Sequence, residues 1–421
     1  MLQVLKTSWA LLLGILLLMV GNGLQGTLLG IRGEIEGFTT FEISVVMSAY
    51  FAGFFGGSRL APELIRRVGH VRVFAALGSL ISAALILFPA VTEPWAWTIL
   101  RMILGFCFSG VYVTAESWLN NAASNENRGQ ALSLYMIVQM TGVVSAQGLL
   151  VLGDPSGFVL FIIPSVLVSI AFAPILLSIS PTPAFAAAKP MSLRKLYQVS
   201  PLGCVGLFLL GGVFSAQFGM AAVYGIQAGF SVAEISVLVA AIYIGALVMQ
   251  YPIGWLSDRM DRRLLIMITA LLAGFAGIAG MLLGDNYSSL LAVAFIIGGT
   301  SNPLYSLLLA YTNDFLELDD MAAASGGLVF INGMGAIAGP LTTGWMMGAV
   351  GPGGFWLFVG ILMLLLAVYA AYRMTQSAAT PVEETQAFVG VSAAASPVAV
   401  EVAQEWAIEA AIEAELETTD V

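Results

Sequence analysis

The chain has 421 residues, of which 59% are hydrophobic and 10% charged, and its mean hydropathy is +0.93. Soluble domains devote roughly a quarter of their residues to charge, so a water-soluble globule is excluded and lipid is the expected solvent. The net charge of −10 is local: residues 375–421 hold nine acidic side chains and no Lys or Arg, and without them 16 acids face 15 bases.

From the N-terminus, runs of about 20 mostly apolar residues predict twelve membrane-spanning helices, over 8–30, 40–61, 71–91, 95–119, 129–152, 156–179, 201–227, 233–256, 264–284, 287–313, 322–348 and 353–373. The runs are continuous rather than alternating, which selects helices over barrel strands. Span 1 follows Lys6, and no A-x-A-like cleavage site succeeds its run Trp9–Val20. An uncleaved helix is therefore expected there, not a signal peptide. It sets Asn22, Gln25 and Arg32 on one face, three and seven residues apart.

Span 2 opens on GFTTFEISVV, Gly37 to Val46, with Glu42 in the first turn, where a carboxylate complements the helix N-terminus. Its exit reads RLAPELIRRVGHVR and holds Arg66 and Arg67, followed by His70, the only histidine, expected in a solvated loop. Span 4 aligns Arg101, Gly105, Tyr112 and Glu116. A guanidinium inside the bilayer is costly without a partner, so Arg101 either snorkels outward, pairs within its own half, or serves the chemistry. No Asp or Glu lies mid-membrane. Glu116, near the inner end of span 4, is the carboxylate placed to carry a proton, or else to pair with Arg128.

Ser180 to Pro201, SPTPAFAAAKPMSLRKLYQVSP, is basic and punctuated by proline, the signature of a linker. Span 7 then carries Gln217, Tyr224 and Gln227, and span 8 opens on GFSVAEISVL, Gly229 to Leu238, with Glu234 in its first turn. GWLSDRMDRR follows, Gly254 to Arg263, with Asp258, Arg259, Arg262 and Arg263. Asn302, Tyr305 and Thr312 align on span 10. In the tail, Glu401, Glu405, Glu409, Glu413 and Glu417 recur at every fourth position, and like charges so spaced repel.

All of the 15 Lys and Arg residues except Arg32 and Arg101 fall in segments on one side: Lys6; Arg59, Arg66, Arg67 and Arg72; Arg128; Lys189, Arg194 and Lys195; Arg259, Arg262 and Arg263; and Arg373. The excess of bases on cytoplasmic loops puts both termini in the cytoplasm. Four regions result: an N-terminal bundle, 1–180; a cytoplasmic linker, 181–200; a C-terminal bundle, 201–375; and an acidic tail, 376–421, expected to be mostly disordered.

The halves repeat. At an offset of 192, Gln25 falls on Gln217, Arg32 on Tyr224, Gly53 on Gly245 and Asp258 on Arg66. From span 4 onward the offset is 193, and Gly105 meets Gly298, Tyr112 meets Tyr305, Asn120 meets Asn313 and Gly142 meets Gly335. Two parallel repeats suggest a carrier that rocks about a site between them.

GWLSDRMDRR resembles the G-x-x-x-D-R-x-G-R-R motif of the major facilitator superfamily, with Asp261 in place of its second glycine. RMILGFCFSG from Arg101 is similar to the Arg-x-x-x-Gly pattern of its fourth helix, and GAIAGPLTTG, Gly335 to Gly344, to its antiporter motif. AESWLNNAASNENRGQALSLYM resembles the bacterial YcaD-like branch. The resemblance implies an all-α membrane protein, twelve transmembrane helices in two pseudo-symmetric six-helix bundles, in the bacterial inner membrane. It implies a secondary transporter working by rocker-switch alternating access, proton-coupled, and a monomer. Helices 1, 4, 7 and 10 then line the substrate cavity with Asn22, Gln25, Arg101, Tyr112, Gln217, Tyr224, Asn302 and Tyr305. Arg101 and Glu116 serve coupling, and Arg66, Arg67, Asp258, Arg259, Arg262 and Arg263 gate the cytoplasmic side.

Amides and tyrosines suit a sugar-type symporter, while the antiporter-like motif and the Met-rich remainder suit efflux of hydrophobic compounds. A transporter-like sensor signalling through the acidic tail is the alternative from another class. One histidine and no mid-membrane carboxylate argue against an enzyme. Cys107 and Cys204 have no metal-ligand spacing, so no cofactor, metal or nucleic-acid partner is expected.

Overall fold

The computed structural model describes residues 2–122, 128–177, 191–284 and 286–376, and further on 380–381, 385–386, 388–393 and 395–406. Its helices in chain order are α1 Leu2–Ile35, α2 Thr40–Val68, α3 His70–Leu87, α4 Pro94–Ala122, α5 Arg128–Leu150, α6 Val159–Leu177, α7 Leu193–Val199, α8 Pro201–Gly219, α9 Ala221–Gln227, α10 Val232–Ser257, α11 Arg262–Leu282, α12 Tyr287–Asn313, α13 Leu318–Val350 and α14 Gly354–Met374. A last helix, α15, covers 397–406. The side chains of Lys6 and Arg128, most of the linker with Lys189, and the tail glutamates from Glu409 onward lie outside the described residues.

Ten of the described helices are long and apolar enough to cross a bilayer, where twelve were expected. The two outside that set are α2 and α6. The inner part of α2 carries Arg59, Glu63, Arg66 and Arg67, which dilute its apolar character, and in α6 the described side chains extend only over the apolar stretch Val159–Ala173. The expected span 201–227 is broken: α8 ends at Gly219, Met220 adopts φ −106°, ψ −10°, and α9 continues as a separate turn.

The sequence repeat becomes a structural one. Before α2, Gly37 at φ +79° precedes Thr39, whose hydroxyl accepts from Glu42 N while the Glu42 carboxylate accepts from Thr39 N, a capping box. Before α10, Gly229 at φ +81°, Ser231 and Glu234 build the same box. Positive φ is nearly free only for glycine, which accounts for the glycine in both copies. Lower down, α2 crosses α4 so closely that a Cβ on Gly53 would lie 1.9 Å from Met102 O, and one on Gly105 1.8 Å from Tyr50 O. In the second half, Gly245 meets Phe295 O at 2.2 Å and Gly298 meets Ile242 O at 1.9 Å. Every residue of this second crossing is the counterpart of one in the first. Bare backbones touch in both, as close packing between membrane helices demands.

α1–α6 form one half and α8–α14 the other, meeting where α2 packs on α13 and α5 on α10. One end of the bundle carries the two capping boxes (the capped end), and the other carries Arg66, Arg67 and the Arg259–Arg263 segment (the basic end). At the capped end and just below it, hydrogen bonds join the halves directly. Gln227 Nε2 donates to Thr40 Oγ1 at 2.9 Å, Ser48 Oγ to Ile337 O at 2.5 Å, and Ser236 Oγ to Gln147 O. At the basic end both halves bond instead to the chain's own last described residues, 386–406. The tail expected to be disordered is thus packed over this stretch, because its small apolar side chains, Ala393, Ala395, Ala399, Val400 and Val402, are buried there. His70 also departs from expectation: it begins α3, is buried, and lies over Trp118 with centroids 6.2 Å apart.

Candidate functional site

Between the halves lies a cavity with about 560 Å³ of space not filled by atoms, counting the part open to solvent. Its walls are aromatic: Tyr50, Phe51, Phe54 and Phe55 from α2, and Phe214 and Phe218 from α8. The spacing 51, 54, 55 and 214, 218 puts each set on one helix face. Polar groups are few, namely Asn22, Ser58 and Asn332, with Ala393 and Ala395 of the tail on the basic-end side. Of the eight residues expected to bind substrate, only Asn22 is among those lining it.

Asn22 anchors a network that accounts for three more of the eight. Its Nδ2 donates to Tyr112 Oη at 2.9 Å, and its Oδ1 accepts from Gln25 Nε2 at 2.9 Å and Tyr50 Oη at 3.2 Å. Gln25 Oε1 in turn accepts from Arg101 Nη1 at 2.5 Å. Arg101 is fully buried, contacts Met47 Sδ at 3.2 Å, and lies 4.7 Å from the centre of the Tyr50 ring. Its Nε has no partner among the described residues, and no carboxylate pairs with it there. A cation–π contact and one amide oxygen are modest compensation for a desolvated guanidinium. Arg101 is thus one ring, that of Tyr50, removed from the cavity lining. Snorkelling is ruled out by this burial.

The second half is neutral at the equivalent depth. Gln217 Nε2 donates to Ser301 Oγ at 2.8 Å, and its Oε1 accepts from Asn302 Nδ2 at 3.3 Å. Tyr305 is buried, and its hydroxyl has no partner among the described residues. Tyr224 is placed away from the cavity, stacked on Phe355 at 5.4 Å and edge-on to Trp356 at 5.2 Å. Gln217 and Tyr224 lie on either side of the interruption at Met220, so their spacing of seven does not run along one uninterrupted helix.

Glu116 and Arg101, expected to act together, are separated by about 22 Å along α4 at 1.5 Å per residue. Glu116 is buried and accepts from Tyr135 Oη at 3.0 Å and from the Ser396 hydroxyl of the tail.

The residues expected to gate fall into two classes. Arg66 and Arg67 are exposed and pair locally with Glu63 at 2.6 and 2.7 Å, and Arg259 is spread over the Trp255 ring. Arg262 is buried: its Nη1 meets Asp314 Oδ1 at 2.5 Å and Ala310 O at 3.2 Å, its Nε donates to Ser257 Oγ, and its Nη2 donates to Gln386 O. Asp258 Oδ1 accepts from Phe388 N at 3.0 Å and Asp314 Oδ1 from Gln386 N at 2.9 Å, while Arg263 pairs with Asp261 at 2.9 Å. Burial pushes the Asp314 carboxyl above the ordinary carboxylate range, with Arg262 opposing. Sequence reasoning missed the aromatic walls and Asn332. The i, i+3, i+4 phenylalanines were a visible signal for the first; nothing in the sequence marked the second.

The family model described as Major Facilitator Superfamily matches residues 11–232 and 203–408. The chain is 28% identical over 344 residues to the uncharacterized MFS-type transporter YE1530 of Yersinia enterocolitica, covering 80% of this chain and 88% of the relative. It is 25% identical over 341 residues to the uncharacterized MFS-type transporter YcaD of Escherichia fergusonii, with the same coverage. Among solved structures, the nucleoside transporter NupG superposes with a TM-score of 0.70 at 15% identity, covering 87% of this chain and 98% of that one.

Proposed function

Because the chain belongs to the Major Facilitator Superfamily, we propose that it is a secondary transporter whose substrate is an organic molecule with a flat, largely apolar body. The observation that carries this reading is the cavity itself: six aromatic rings and three polar side chains between two pseudo-symmetric halves. A sugar would need hydrogen-bonding groups on most of its rim, whereas aromatic walls with a few placed polar groups suit a hydrophobic or aromatic solute. Of the two transport readings, the hydrophobic-compound carrier is favoured over the sugar symporter.

A second reading is favoured by Arg101. A buried cation without a carboxylate partner, one ring away from the cavity, selects a solute that carries a single negative charge. Alternating access follows from the halves rocking about the cavity. The basic end faces the cytoplasm by the positive-inside rule, in the inner membrane of a bacterium. Glu116, the buried carboxylate nearest the basic end of α4, is the group proposed to take up the coupling proton.

The test is a thermal-stabilisation screen of the purified protein with neutral aromatics, aromatic monocarboxylates and monosaccharides, followed by flux into liposomes with and without a pH gradient. Stabilisation and saturable flux of an aromatic compound are expected. Stabilisation by monosaccharides alone would overturn the substrate class, and flux indifferent to the gradient would overturn proton coupling.

A further inference from the structure

Residues 386–406 run from the basic end up between the halves. The first contacts fall on the turn after α10 and the end of α12: Gln386 is held through N by Asp314 and through O by Arg262, and Phe388 N donates to Asp258. Phe388 also packs where a Cβ on Gly254 would approach its ring at 2.6 Å. Further in, Ser306 Oγ both accepts from Val391 N at 2.8 Å and donates to Val391 O at 2.9 Å, so a single hydroxyl holds both backbone polar groups of one residue. Asn332 Nδ2 donates to Ala393 O at 3.2 Å. Asn332 lies 14 residues into α13, so the segment reaches about 21 Å from the start of that helix. Here Ala393 and Ala395 line the same cavity as Asn22 and Tyr50.

The segment then turns and returns between the two halves. Ser396 bonds Glu116 of α4, α15 begins at Pro397, Gln404 Nε2 donates to Asn313 Oδ1 at 2.8 Å, and Trp406 packs on Gly129 of α5. Val391, Ser392, Ala393, Ala395, Ser396, Ala399 and Val400 are all buried. Chain ends stay disordered unless something ties them down, and this one is tied to both halves at once. The route it fills is the route a solute must take between the cavity and the basic end.

We infer that this segment is a built-in plug: the vestibule at the basic end is a docking site for a peptide with an uncharged, extended leading stretch followed by a short helix, and the chain's own residues 386–406 occupy it in competition with the solute. Asp258, Arg262 and Asp314 hold the base of the plug, Ser306 and Asn332 read its backbone, and Glu116 receives its serine. Opening to this side then requires undocking, which links solute access to anything that captures the tail. The inference rests on the cavity as the transport path, but its test needs no substrate.

A single cysteine is introduced at Ser58, inside the cavity, in a background with Cys107→Ala and Cys204→Ala. Its modification by a membrane-impermeant maleimide is timed in membranes that expose the basic end. Truncation after residue 375 should speed labelling at least tenfold, and a synthetic peptide of residues 386–406 added to the truncated protein should slow it again. In the full chain, Ala393→Arg should speed labelling in the same direction without any deletion. Equal rates for the full chain, the truncated chain and Ala393→Arg would overturn the plug. So would acceleration on truncation that a saturating peptide fails to reverse. Accelerated labelling together with a failed substrate screen would keep the plug and count against the proposed substrate alone.

Discussion

In the N-terminal half a cation, Arg101, is fully buried at mid-depth among Gln25, Met47 and Tyr50. In the C-terminal half Ala294 holds the equivalent position, and the cations buried there, Arg262 and Arg263, sit at the basic end, Arg262 against Asp314. The scaffolding around them is duplicated down to the glycines of the helix crossings and the capping boxes. The difference teaches that packing was kept in both copies while charge was divided between them. One half places a charge beside the cavity, and the other uses its charge to tie a turn, a helix end and the tail together.

The sharpest way to break this comparison is to remove the two mid-depth polar anchors separately. Arg101→Ala should lower flux of the ligand found by stabilisation at least about 100-fold, in the range of losing a charge-assisted contact, while the protein remains folded in the membrane. Arg101→Lys should not restore it, since a point ammonium cannot both bond Gln25 and lie flat over Tyr50. Gln217→Ala, in the neutral half, should cost about tenfold. Equal losses in flux assays would erase the asymmetry.

Next come the basic-end arginines. Arg262→Ala leaves the buried Asp314 carboxylate alone and should lower unfolding stability by about 3 kcal/mol, whereas Arg66→Ala, on an exposed pair, should leave thermal denaturation unchanged. A similar loss from both would mean that the two copies of the motif do the same work. A smaller effect tests what is shared: Gly53→Ala and Gly245→Ala should each cost about 1–3 kcal/mol by forcing backbones apart, with matching losses in the same melting experiment.

The smallest effect concerns pH. Burial, helped by the neighbouring Glu405, pushes the Glu401 carboxyl up to about 7 in the docked tail. The docked form thus binds its proton more tightly than the released form, so docking is favoured at low pH and that advantage is lost as pH rises from the ordinary carboxylate range through about 7. With each rate divided by that of the truncated chain at the same pH, which cancels the ionisation of the thiol itself, labelling at Ser58→Cys should be about threefold faster at pH 8 than at pH 5.5. Glu401→Gln should remove the part of that difference due to this group; an unaltered pH profile in Glu401→Gln would reject its involvement.

Much of the fold was legible because membrane solvation leaves a coarse record: long apolar runs, bases on one side, and a repeat with a nearly constant offset. Asn22, Gln25 and Arg101 stood out as polar groups inside apolar runs, but the bonds that join them across α1 and α4 did not. What failed has physical reasons. Tyr224 was misplaced by the helix break at Met220, which leaves no mark in periodicity. The cavity walls were overlooked because phenylalanine looks alike whether it faces lipid, core or solute. The tail was misread because its acidic residues drew attention away from the small apolar ones between them.

The central claim is that the aromatic cavity between the halves is where the solute binds. Calorimetric titration of the best stabilising ligand into Val329→Trp, a variant that fills the cavity from α13, tests it most directly. The cavity assignment predicts at least a hundredfold loss of affinity in a protein that still melts as a monodisperse sample near the wild-type temperature. Undiminished affinity in that same folded variant would contradict it.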